Sequence, residues 1–245
     1  MNIPLFLFRK TPPADDPEAV QRETCLLKEM KTVAGLQIYS GYSLYDYSES
    51  SDFVRKIQAA RFPMAVISWQ SVRATRWLLR KLREDFTEEE TLMIDLSEQK
   101  SVNEILTVIQ KFLDRFGDTA STETKMETET LIPSRRWYPV IDYGKCISCL
   151  ECVNFCLFGV YTIDKENRST VCRPDSCRDG CPACSRVCPA GAIIFPEYDD
   201  PVISGRMEAV SSSAPAVSQP LALQKSDSAK PELDRLIDQL EDFDL

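Results

Sequence analysis

Cysteine placement constrains this chain more than any other feature. Cys146, Cys149, Cys152 and Cys156 fall within the eleven residues of CISCLECVNFC, spaced C-x2-C-x2-C-x3-C. Cys177, Cys181, Cys184 and Cys188 follow with the spacing C-x3-C-x2-C-x3-C, and Pro189 comes next. Shifting the chain by 32 residues lays Cys149, Cys152 and Cys156 on Cys181, Cys184 and Cys188. The same shift lays Gly159 on Gly191 and VYTI on AIIF, so the segment is an internal duplication. Nine of the ten cysteines lie between residues 146 and 188, and the chain has no histidine. That lack excludes haem–histidine, Rieske and mixed Cys/His zinc sites.

Three thiolates two residues apart can wrap a loop around three corners of a cubic metal–sulfur cluster, with backbone N–H groups facing it. The fourth cysteine lies beyond that loop, where a helix carries it away, so it serves a second cluster and the motifs come in pairs. Structural zinc sites pair C-x2-C units across a longer gap, and two interleaved threes leave no such partition. A cytosolic setting, the default here, keeps thiols reduced and disfavours disulfides. Residues 137–197 resemble a bacterial-type dicluster ferredoxin domain. The resemblance implies two [4Fe-4S] clusters in a duplicated ferredoxin-like unit. It assigns Cys146, Cys149, Cys152 and Cys188 to one cluster and Cys177, Cys181, Cys184 and Cys156 to the other. It also implies an outer strand pair from WYPVID and AIIFPE, and an inner pair from VYTID and STVCR.

Two departures from that family's pattern stand out. Leu157 occupies the place of the usual proline after Cys156, which alters loop stiffness. One extra residue separates Cys177 from Cys181, loosening that corner. Cys172 reads as a small buried apolar residue, the alternative being that it replaces Cys177 as a ligand. Cys25 is isolated and reads as inert.

The fold class expected is α+β. Residues 1–29 read as an N-terminal extension and 30–116 as a small α/β layer with parallel pairing. In that layer GLQIYSGY, PMAVISW and TLMIDL are strands, separated by the helical runs SSDFVRKIQAARF and SVRATRWLLRKLRED. Ser101 and Glu104 form a capping box ahead of an apolar stripe at Val102, Ile105, Leu106, Ile109, Leu113 and Phe116. Residues 117–136, polar and Thr/Glu-rich, read as a linker, and 137–201 as the dicluster domain. The Ser/Ala/Pro-rich 202–230 reads as disordered. Residues 231–245 read as an acidic amphipathic helix starting at Pro231.

A net charge of -9 argues against nucleic acid, and no apolar run approaches the length of a membrane span. The apolar run in MNIPLFLFRK lacks preceding basic residues and a cleavage site, so no leader is expected and the location expected is cytoplasmic. Arg73, Arg76, Arg80, Lys81 and Arg83 read as a solvated basic helix face. No glycine-rich phosphate loop and no nucleophile–base pair is present. The function expected is one-electron transfer to or from a redox partner protein, with the terminal helix as a docking segment. Two alternatives stand beside it. In one, the clusters feed electrons to a substrate site in the α/β region, at the strand carboxyl ends near Trp69 and Arg73. In the other, the clusters only stabilise an interaction module.

Overall fold

The computed structural model describes residues 2–12, 16–98, 101–116 and 123–207. The expected terminal helix and residues 208–230 of the expected disordered segment lie outside them. The run IPLFLFR forms strand β1 (Ile3–Arg9), every apolar residue of it either buried or half-buried. Because successive side chains of a strand point to opposite faces, β1 splits its apolar residues between two cores. Ile3, Leu5 and Leu7 enter one, and Phe6 and Phe8 enter the other. A strand that is apolar on both faces belongs in the middle of a parallel sheet covered by helices on both sides.

That is where β1 lies. It pairs in parallel with β2 (Leu36–Tyr42) and β3 (Met64–Ser68). Strands β4 (Thr91–Asp95) and β5 (Lys125–Thr128) complete a parallel sheet of order β4-β3-β1-β2-β5. Helices α1 (Pro17–Met30) and α4 (Val102–Phe116) cover the face of Leu5 and Leu7. Helices α2 (Asp52–Ala59) and α3 (Val72–Leu82) cover the face of Phe6 and Phe8.

Helix starts follow capping chemistry. Asp16 accepts from the Ala19 N–H with Pro17 in the first turn, Ser51 accepts from Val54, and Ser71 accepts from Ala74. The expected capping box forms, Ser101 N–H donating to Glu104 and Glu104 N–H to the Ser101 hydroxyl.

The α+β class holds, and three boundaries differ from expectation. Residues 1–29 supply the central strand and α1, and are not an extension. The segment read as a linker contains β5, the sheet edge beside β2. Residues 202–207 are packed as well. Asp200 accepts from the Val202 N–H, Ile203 is buried, and the Ile203 carbonyl accepts from Phe195.

The cysteine-bearing region packs on α3, and the described residues up to 207 belong to one compact unit. Its strands are β6 (Val140–Ile141) paired antiparallel with β9 (Ile193–Ile194), and β7 (Tyr161–Ile163) paired antiparallel with β8 (Ser169–Val171). Its helices α5 (Glu151–Phe155) and α6 (Ala183–Val187) repeat at the 32-residue offset of the sequence. Tyr138, Val140 and Ile194 join the core beside Leu78 and Leu79.

Candidate metal centre

The basic helix face is not left to water. Arg73, with only 12% of its side chain exposed, donates from Nε to Asp142 at 2.6 Å and from Nη2 to the Gly191 carbonyl at 2.7 Å. Arg76 and Arg80 pair with Glu88, Lys81 with Glu49, and the buried Arg83 with Asp85. The solvated-face reading therefore fails. Arg73 anchors the cysteine region, and Ser71 donates to the Ser204 carbonyl at the start of α3.

Each motif winds a loop into a short helix. Ser148 (φ 55°) and Leu150 (φ 62°) hold left-handed backbone conformations, uncommon for residues other than glycine. Such conformations persist where the surroundings over-determine them, often in binding loops. The duplicate of Ser148 is Gly180, at φ 70°. The extra residue of the second motif is taken up just before it, in a turn closed by the Cys181 N–H on the Arg178 carbonyl at 3.1 Å. Gly159 and Gly191, which the duplication superposes, share positive φ as well.

All eight motif sulfurs are free thiols. Cys152 and Cys184 are buried on α5 and α6, and Cys156 and Cys188 cap the ends of those helices. One pocket is lined by Cys146, Cys149, Cys152 and, from the other motif, Cys188. Its walls are apolar: Ile141, Ile147, Leu150, Ala192 and Ile193.

Electrostatics draw the same division. Burial, then the partial relief of a Ser169 hydrogen bond, sets a raised pKa at Cys152, with Cys188 and Cys146 pushing it further up. Burial and the neighbours Cys184, Cys181 and Cys156 push Cys177 up to about 12. Burial, opposed by Tyr161 and reinforced by Cys156 and Cys181, raises Cys184 to about 11. Cys156 thus lies close enough to act on Cys177 and Cys184, and Cys188 close enough to act on Cys152. At neutral pH these raised thiols keep their protons unless a cationic centre displaces them, so protons compete with metal.

Cys172 stands apart. It is exposed, and its thiol donates to the Val160 carbonyl at 3.5 Å. The expectation of a buried Cys172 is therefore not met. Cys25, also exposed, lies on α1.

Three contributors escaped the sequence reading. Ser169 lies 3.1 Å from the Cys152 sulfur. The Ala192 N–H donates to Cys188 Sγ at 3.3 Å. Tyr161 is buried, and burial followed by the Cys184, Cys152 and Cys156 sulfurs holds its phenol protonated. The strand assignment marked two of them, by placing Ser169 and Tyr161 on the inner pair.

Among the described residues no group of three or more Cys, Asp or Glu side chains is gathered to hold a metal ion.

No family model matches the chain. A curated relative, a protein named an uncharacterized ferredoxin from Methanocaldococcus jannaschii, is 48% identical over 67 residues. Those residues are 26% of this chain and 44% of that protein, so the chain spans less than half of the relative it matches. The likeness supports a ferredoxin-type region. Among the described residues no helix is long and apolar enough to cross a membrane.

Proposed function

We propose that the chain is an iron–sulfur electron carrier with two [4Fe-4S] clusters. Cys146, Cys149, Cys152 and Cys188 hold one, and Cys177, Cys181, Cys184 and Cys156 hold the other. The observation that carries this reading is the exchange of fourth cysteines between motifs: Cys188 lines the pocket of the first loop. The ferredoxin name of the partial relative agrees with it.

A bound cluster supplies one-electron chemistry, its charge changing by one as the electron enters or leaves. The chain's own residues set the conditions. The apolar walls of Ile141, Leu150 and Ile193 limit water around the first four sulfurs. The Ala192 N–H stabilises negative charge on Cys188, and Ser169 does the same for Cys152 once that sulfur is a thiolate. Ile147, Phe155, Leu157 and Phe158 are exposed around the motifs, an apolar surface for a redox partner protein.

An anaerobic reductive titration followed by electron paramagnetic resonance tests the role. Two centres, each taking up one electron, are expected. Clusters that stay silent across the accessible range of potentials favour a purely structural role in an interaction module.

A further inference from the structure

Tyr161 opens β7, the strand of the inner pair on which α5 packs. Its side chain is buried in the core that also holds Cys152 and Cys184, with Cys146, Cys156, Cys177 and Cys188 packed against that core. Beyond burial, the groups that act on the phenol are sulfurs of both motifs: Cys184 first, then Cys152 and Cys156.

The phenol hydroxyl is itself buried, and it has no hydrogen-bond partner. A buried donor left unpaired weakens a fold, so it calls for a reason. The Cys184 sulfur is near enough for the two groups to act on each other, yet they complete no hydrogen bond. A neutral thiol is a weak acceptor. A thiolate is a far better one, since hydrogen bonds to an ionised partner are about twice as strong as neutral ones.

The duplication shows what the hydroxyl adds. The 32-residue shift lays Tyr161 on Ile193, Cys152 on Cys184 and Cys156 on Cys188. Ile193 lines the pocket of Cys152 and Cys188, as Tyr161 neighbours Cys184 and Cys156. The position can therefore be filled without an oxygen, and the first set of sulfurs is packed in that way. That set has a hydroxyl of its own, Ser169, at 3.1 Å from Cys152. The same shift lays Ser169 on Pro201, which has no hydroxyl to offer the second set.

We propose that the Tyr161 hydroxyl donates a hydrogen bond to the Cys184 thiolate when that sulfur holds iron, and so raises the potential of the second cluster. Reduction adds negative charge to a cluster and its sulfurs, and a donor stabilises the more negative state more. Burial strengthens the effect, because the low local dielectric does little to screen it. Tyr161 acts on the cluster through Cys184 and is a positioning residue. The proposal rests on the two-cluster reading.

Tyr161→Phe removes the oxygen and keeps the ring. The test is an anaerobic redox titration of the full chain followed by electron paramagnetic resonance. The second cluster is the one whose signal changes in Cys184→Ser. Its reduction equilibrium constant should fall about three- to tenfold in Tyr161→Phe, or about 28–59 mV for one electron. The first cluster should keep its potential. Tyr161→Ile, the side chain that the fold carries at the duplicate position, should lower the same potential. Iron and sulfide counts equal to those of the wild type verify that both variants hold their clusters. A second-cluster potential unchanged in both variants, or equal shifts at both clusters, overturns the proposal and leaves the two-cluster reading standing. A chain that holds no iron overturns both.

Discussion

Cys188 belongs by sequence to the second motif and by position to the first group of thiols, because α6 carries it past its own loop. Cys156 does the reverse at the end of α5. This exchange makes a sharp prediction at single residues. Cys188→Ser should damage the cluster of Cys146, Cys149 and Cys152 and spare the other, and Cys156→Ser should do the opposite, as read by cluster-resolved paramagnetic spectra. Damage confined to the motif that carries the substitution would contradict the exchanged-ligand arrangement. Cys177 and Cys172 separate in the same way. Cys172, outside both groups of sulfurs, should be replaceable by alanine with both clusters intact. Cys177→Ala should leave a three-iron species at one site. The duplicated motif singled these residues out as candidates without a structure, since metal spacing is a property of the local chain. The helpers Ser169 and Tyr161 were not legible, because their closeness to sulfur arises only when the inner strands fold back, and the Ala192 N–H reaches Cys188 only through the local turn at Gly191.

At the scale of elements, the strands and helices between residues 36 and 116 were written in apolar periodicity and capping residues. Strand β1 was not recognised for a physical reason. Its run PLFLF has no alternation, since both faces are buried, so no period marked it as a strand. Strand β5 hid behind polar composition, as an edge strand of sequence KMET needs little apolar surface. The central place of β1 is testable. Leu5 is fully buried, so Leu5→Ala should cost about 2–5 kcal/mol in chemical denaturation. The Arg73–Asp142 pair makes a second test. Both side chains are almost completely covered, 12% and 8% exposed. Removing one partner of a buried pair strands the other charge, at about 3–5 kcal/mol. Arg73→Met should therefore destabilise the chain strongly, and Arg73→Met with Asp142→Asn should recover part of that loss. Equal stability of wild type and Arg73→Met would mean that α3 does not anchor the cysteine region.

On the scale of the whole molecule, a parallel sheet and a duplicated cysteine unit share one core, with Tyr138 stacked on Tyr45 at a 4.3 Å ring separation where they meet. The sheet and the cysteine unit thus belong to a single compact unit. The alternative of a substrate site at the strand carboxyl ends near Trp69 and Arg73 meets a hollow lined by Trp69, while Arg73 is turned to Asp142 and the Gly191 carbonyl instead. The account as a whole rests on two four-iron clusters, and their content is countable. Protein purified without oxygen should be brown and carry about eight irons and eight acid-labile sulfides per chain. Four irons in total, or stoichiometric zinc without sulfide, would contradict it.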